Sequence, residues 1–302
     1  MKPDRQFPNA GLALMLTAGL VALQIALAIP LELAATVYGA VTHQPPLHPA
    51  RNPFVLGAIN LLSVGGVVTL GIYLAKTSPR EIFAFRRVRG LLLLPILLST
   101  AGAAVVLSEA DNLFRWIFPV PQFLVEFFRN VFTTDTGWVG PMFALVVVAP
   151  VTEEVLFRGL ILRGLLSRHD VRLAIVISAA LFAMAHLNPW QTISASLLGV
   201  LFGWWYYRTR SIVPGLIGHA LVNGSVLACG FLPVEISGFN KGEPYAQVEF
   251  QPLWFDSAGL FLLAIGIWLF HRWSPKPETP SCPRYDGPTP PVIPPSFSGS
   301  SI

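Results

Sequence analysis

The chain has 302 residues, of which 53% are hydrophobic and 12% charged, and its mean hydropathy is +0.61. The charged share is about half that of ordinary globular domains, which excludes a soluble globular protein. The net charge of +4 comes from basic residues spread over loops and not clustered with aromatics, a pattern that argues against a nucleic-acid partner.

Long uncharged runs predict an all-α polytopic membrane protein of about eight transmembrane helices, with one membrane domain and a tail. Lys2 and Arg5 precede an apolar run from Ala10 to about Ala40. That run is too long for a signal-peptide core and lacks a clear cleavage site, so it reads as an uncleaved first span. Glu32 is expected near an interface, and His43 and His48 as loop residues. Span two, Phe54 to Ala75, carries Gly57, Gly65, Gly66 and Gly71, which permit close helix approach. A basic loop, Lys76 to Arg89, leads into span three, Gly90 to Leu107. Residues 108–136 mix charges with Phe114, Trp116 and Phe123, as an amphipathic interfacial segment does. These pieces make an N-terminal unit, 1–137.

A core unit over 138–232 holds spans four to seven: Trp138 to Leu162, Leu173 to Leu187, Thr192 to Tyr207 and Ile212 to Leu232. Asn188-Pro189 marks a helix boundary between the fifth and sixth. A hydrophilic loop and span eight, Leu253 to Phe270, occupy 233–273. Residues 274–302 are rich in Pro, Ser and Gly and are expected to be disordered. Of the two cysteines, Cys229 lies in an apolar run and Cys282 in the tail, where it forms no prenylation box; they imply neither a disulfide framework nor a metal site. With eight spans and a cytoplasmic N-terminus, fifteen basic residues fall on the inner side and four (Arg51, Arg115, Arg129, Lys241) on the outer. The expected location is therefore the cell (inner) membrane, with both termini cytoplasmic.

Within span four, Ala149-Pro150-Val151-Thr152-Glu153-Glu154-Val155-Leu156-Phe157-Arg158-Gly159 puts two carboxylates and a guanidinium into an apolar run. Such groups are costly in a membrane and mark function when partners exist. Glu154 and Arg158, four apart, share a helix face and can pair. Glu153 is turned by about 100° and is left for chemistry. His186 on span five lies four residues after Phe182, and His219 on span seven four before Asn223. Burying these groups separately would cost several kcal/mol each, whereas converging on one wet cavity costs far less. A carboxylate with a histidine can hold and deprotonate water. A second histidine and an amide can stabilise the oxyanion of a tetrahedral intermediate. That is equipment for hydrolysing an amide bond with water as nucleophile. No Gly-x-Ser-x-Gly elbow and no His-Glu-x-x-His signature is present.

In this order and on separate apolar helices, Glu153-Glu154-x-x-x-Arg158, Phe182-x-x-x-His186 and His219-x-x-x-Asn223 resemble the CPBP intramembrane proteases. These comprise the type II CAAX prenyl endopeptidases and the bacteriocin-processing or self-immunity proteins. The resemblance covers about Pro141 to Leu232, and no defining position departs from it. It implies an intramembrane endopeptidase with Glu153 as general base, His186 helping to hold the water, and His219 with Asn223 as oxyanion hole. Glu154, Arg158 and Phe182 would support these groups from behind. It also leaves room for a bound Zn²⁺, whose ligands would be Glu153, His186 and His219. The implied partners are the lipid bilayer and a peptide, lipid-modified or membrane-protein substrate.

Two other readings use the same buried groups. A non-enzymatic scaffold or immunity protein would keep them as structure. A proton- or ion-coupled transporter would use them as a relay, and inverted repeats would favour it; none is visible between the halves. In the eight-span topology Glu153, His186 and His219 fall at unequal depths, so kinks at Pro150 and Pro189 are expected.

Overall fold

A computed structural model describes residues 7–44, 48–132, 136–229, 232–241 and 248–276. Every regular element among the described residues is helical. Helix α1, Ala10–Thr42, starts where the Asn9 side chain accepts from the Leu12 amide. Helix α2, Pro53–Ala75, combines an Asn52 cap with proline in its first turn, where the missing N–H costs nothing. A short helix, α3 (Pro79–Phe83), precedes α4, Leu93–Ile117. The amphipathic α5, Gln122–Phe132, follows. Residues 139–166 form one composite helix, α6, in five pieces. Two of these, Met142–Val148 and Val155–Leu162, are π-helical, and they flank a single α-helical stretch, Ala149–Glu154. Then come α7 (Val171–Ala185), α8 (Pro189–Thr209), α9 (Val213–Ala228) and α10 (Leu253–Trp273).

Four helical segments are long and apolar enough to cross a membrane: Ala10–Thr42, Pro53–Ala75, Gly90–Ile117 and Leu253–Trp273. The chain is thus an integral membrane protein, but the expectation of about eight spans is wrong. Spans one, two, three and eight survive, and the third runs on through Ile117, absorbing ten residues expected at the interface. The other four fail for separate physical reasons. Span four is broken by its two π segments. At ~1.5 Å per residue, α7 and α9 reach only ~22–24 Å, short of the ~30 Å hydrocarbon core. Helix α8 has the length, but its Gln, Ser, Thr, Trp, Tyr and Arg residues make it too polar. The inside–outside assignment of basic residues, and the unequal depths of the polar groups, were tied to eight spans and lose that support. The tail expected to be disordered lies, from residue 277, outside the described residues.

Helix α6 is central. Its second π segment is buried at all eight positions. Helices α2 and α9 pack along its first half and α7 along its second. A Cβ at position 159 would run into the Ile82 carbonyl, so glycine there lets α3 lie directly on the π turn. Elsewhere, α10 packs on α4 through Gly102, Gly259 and Gly266, each close against the partner helix. The Arg208 guanidinium closes the end of α10 by donating to the carbonyls of His271 (2.8 Å), Pro275 (3.0 Å) and Ser274 (3.2 Å). The His271 carbonyl is one that a helix C-terminus leaves without an intrahelical partner; Ser274 and Pro275 follow the helix.

Candidate active site

The i, i+4 pair on α6 is formed: Arg158 donates to Glu154 Oε1 at 2.8 Å, with both side chains buried. Around the guanidinium stand the Phe182 ring (4.6 Å) and the Phe202 ring (5.5 Å), and the Gly199 carbonyl accepts from it at 3.4 Å. A buried charge of this kind persists only when it is both paired and hydrogen-bonded.

His219 of α9 connects the two carboxylates. Its Nδ1 lies 3.2 Å from Glu154 Oε1, and its Nε2 lies 3.8 Å from Glu153 Oε2. Neighbouring helix positions point about 100° apart, but an imidazole has a nitrogen on each edge, so one ring meets both side chains. Glu154, as Arg158's partner, is a hydrogen-bond acceptor, so Nδ1 of His219 carries the hydrogen and Nε2 is left facing Glu153. One guanidinium faces two carboxyl groups, and only that of Glu154 is bonded to it. Glu153 Oε2 is buried and makes no hydrogen bond, although the side chain as a whole keeps 17% exposure. Of the two carboxylates, only that one is partly open.

Phe182 organises the histidines. Its ring stands edge-on to His186 (4.9 Å) and to His219 (5.7 Å), while Phe202 stacks on the other side of His219 (5.8 Å). His186 caps the C-terminus of α7 and is half-buried; its Nδ1 donates to the Phe182 carbonyl at 2.9 Å, leaving Nε2 available. Pro189 begins α8 behind an Asn188 cap, and Pro150 sits where the first π segment gives way to α-helix. Asn223 donates from Nδ2 to the Leu145 carbonyl at 2.7 Å. Leu145 lies in the first π segment, and the second is served in the same way by Ser178, whose hydroxyl donates to the Phe157 carbonyl at 3.1 Å. A π turn disturbs the i→i−4 ladder, and side chains from α7 and α9 stabilise carbonyls inside both turns.

Several contributors escaped sequence reasoning. Gly215 on α9 faces the Glu154 carboxylate so closely that a Cβ there would lie 2.5 Å from Oε2. Asn60 on α2 approaches the Thr152 hydroxyl at 3.5 Å, one residue before Glu153. Phe202 and Gly199 come from α8, for which only a packing role was expected. The polar Asn60 inside an apolar run was the one available signal.

Glu153, His186 and His219 do not converge as ligands: among the described residues, no three His, Cys, Asp or Glu side chains could hold an ion. The residues present do not fit the zinc centre that the resemblance allowed.

Residues 135–225, which include all four expected site residues, match the family described as Type II CAAX prenyl endopeptidase Rce1-like. The chain is also similar to the Bacillus subtilis (strain 168) protein named "Putative membrane peptidase YdiL". They are 27% identical over 88 residues, 29% of this chain and 36% of that one. A second relative is the "UPF0177 protein YxdF" of Lactococcus lactis subsp. lactis (strain IL1403), 28% identical over 82 residues, 27% of this chain and 45% of that one. The matches thus cover less than half the length of each relative. No solved structure matches. By the family match, the two relatives and a buried His–Glu pair inside the matched region, the chain is a distant homologue of the CAAX/CPBP-type membrane proteases.

Proposed function

We propose that this protein is an intramembrane endopeptidase that hydrolyses a peptide bond with a water activated at Glu153. The observation that carries the reading is His219 between two adjacent carboxylates, one paired to Arg158 and the other partly open. In this mechanism the nucleophilic water is held by the open edge of the Glu153 carboxylate and the available Nε2 of His186. Glu153 takes a proton from it as oxygen attacks the scissile carbonyl. The oxyanion then accepts from the second Nδ2 hydrogen of Asn223 and from Nε2 of His219, which carries a proton taken up from bulk water before substrate binds and keeps it through the cycle. Glu153 returns its proton to the leaving amine, so one water is consumed and no other co-reactant is required. Arg158 and Gly215 hold Glu154 so that His219 presents the same edge throughout the cycle.

The substrate class we propose is a peptide or membrane protein, including lipid-modified ones, cleaved near the membrane surface. The name of the Bacillus relative and the family description support the peptidase class. The test is cleavage of a quenched fluorescent prenylated peptide by the full chain in nanodiscs, beside Glu153→Gln. Loss of a general base lowers kcat by about a hundred- to ten-thousand-fold, measured at a temperature where thermal unfolding shows both proteins fully folded. Equal cleavage by both proteins would refute Glu153 as the base.

A further inference from the structure

Apart from the carboxylate cluster, the molecule has a second feature in which charge and apolar surface meet. A cavity of about 360 Å³ opens beside the loop that follows α3. Arg86, Arg87 and Arg89 line it on one side; Ile96 of α4 with Pro214 and Ile217 of α9 line it on another. All three arginines are exposed, and among the described residues no carboxylate pairs with any of them. We propose that this cavity binds the phosphate of an anionic lipid headgroup, with the lipid chain running down the apolar wall.

Three observations carry this. The first is level: Gly90–Ile117 is long and apolar enough to cross a membrane, and the arginines immediately precede it, where headgroups meet hydrocarbon. The second is shape. The cavity continues from the guanidinium groups onto the flank of that helix, where Leu93, Leu94 and Leu97 are exposed. An amphiphile fits this sequence of surfaces; a free anion would use only its upper part, and an acidic peptide would find no polar wall beyond the arginines. The third is rigidity. The loop is fastened to the start of α9 by the Ile212 amide on the Ala84 carbonyl (3.3 Å) and the Ser211 hydroxyl on the Arg86 carbonyl (2.9 Å). Val88 packs against the buried cluster around Trp205 and Phe270. Guanidinium groups on a fixed backbone lose little freedom when they bind a phosphate, and their planar forks suit it.

The experiment is native mass spectrometry of the full chain released from nanodiscs of equimolar phosphatidylcholine and phosphatidylglycerol. The wild type is expected to retain phosphatidylglycerol in preference to phosphatidylcholine. Arg86→Gln, Arg87→Gln and Arg89→Gln should each reduce that preference by about five-fold, in line with one surface arginine on an anionic membrane. The triple arginine-to-lysine variant keeps the charge but loses the planar forks, so its preference should fall between those of the wild type and the triple glutamine variant. Ile217→Trp, which fills the apolar wall without altering charge, should lower retention. Equal retention of both lipids by the wild type, or an unchanged preference in the triple glutamine variant, would overturn the proposal. So would displacement of the retained lipid by inorganic phosphate or an acidic peptide at concentrations that leave nanodiscs intact. The first would mark a free-anion site, and the second a peptide site.

Discussion

Helices α4 and α10 meet along a seam of small residues, whereas α6 is enclosed by its neighbours and carries its charge inside. Along the seam, Gly102 abuts the Leu263 amide and Gly266 the Ser99 amide, so two regular helices lie almost backbone to backbone. In α6 the helix geometry changes four times within 139–166, and the stretch between the two wide turns presents Thr152, Glu153 and Glu154. The seam gains its stability from dispersion at short range, which is how helices associate where lipid provides no hydrophobic drive. Helix α6 instead depends on polar contacts with side chains from α2, α7 and α9 and with a backbone carbonyl of α8. The regular pair can hold its shape with lipid on its outer side. The irregular one needs neighbours, and that need brings chemistry-bearing residues from several helices to one place.

The contrast can be broken most sharply at Arg158. Arg158→Met would leave Glu154 buried without its cation, a loss of about 3–5 kcal/mol, read by thermal unfolding in detergent. Adding Glu154→Gln should return much of that stability without returning peptidase activity. Asn223→Ala would strand the Leu145 carbonyl and cost about 1–3 kcal/mol. If Asn223 also donates to the oxyanion, kcat falls even at temperatures where the variant is fully folded, and an unchanged kcat would reduce it to a staple. At the seam, Gly266→Leu overpacks two backbones and should cost about 1–3 kcal/mol. Its kcat at a permissive temperature should equal that of the wild type, because no seam residue touches the carboxylate cluster.

Phe182→Leu removes edge-on contacts to both histidines and the ring under Arg158, each aromatic pair worth about 0.5–1.5 kcal/mol beyond area. Here kcat should suffer more than KM, because the imidazoles lose their fixed orientation. The smallest effect is a pH dependence outside the membrane-spanning segments. Glu81 is hydrogen-bonded by Thr77 (3.1 Å) and ion-paired to Arg163. The Thr77 hydroxyl first, and then the Arg163 charge, hold its carboxyl below the usual carboxylate range. A lowered folded-state value contributes stability above the ordinary carboxylate pKa, and that contribution disappears as pH falls through the folded value. Unfolding followed from neutral to acid pH should therefore show a slope that Glu81→Gln flattens, and no change on the alkaline side. Exposure of the pair keeps it small.

Much of the site was legible because helical spacing is local. Glu154 with Arg158 and Phe182 with His186 are each four apart, and both contacts are present. The ordered triplet of motifs pointed to the right family. What could not be read was whatever depends on tertiary approach: His219 reaching Glu154, Phe202 stacking on His219, and Gly215 making room for a carboxylate. The eight-span expectation failed for a related reason. Apolarity along a window reports that a stretch avoids water, not how far its helix runs: α7 stops after 15 residues and α9 after 16, short of a bilayer's thickness. Residues in a π turn are apolar like their neighbours, so the breaks in α6 left no mark in composition.

Those two wide turns have a mechanical consequence. An ordinary α-helix transmits rotational phase: each residue advances it by about 100°, so both ends are locked together. Met142–Val148 and Val155–Leu162 carry that phase at a different pitch on either side of Ala149–Glu154. The carboxylate rung is thereby set at an angle that an unbroken α-helix of the same length would not give it. Inserting or deleting one residue within Met142–Val148 would re-aim Glu153 and Glu154 without altering a single side chain in the site. The same change in α10 would turn every contact along its seam.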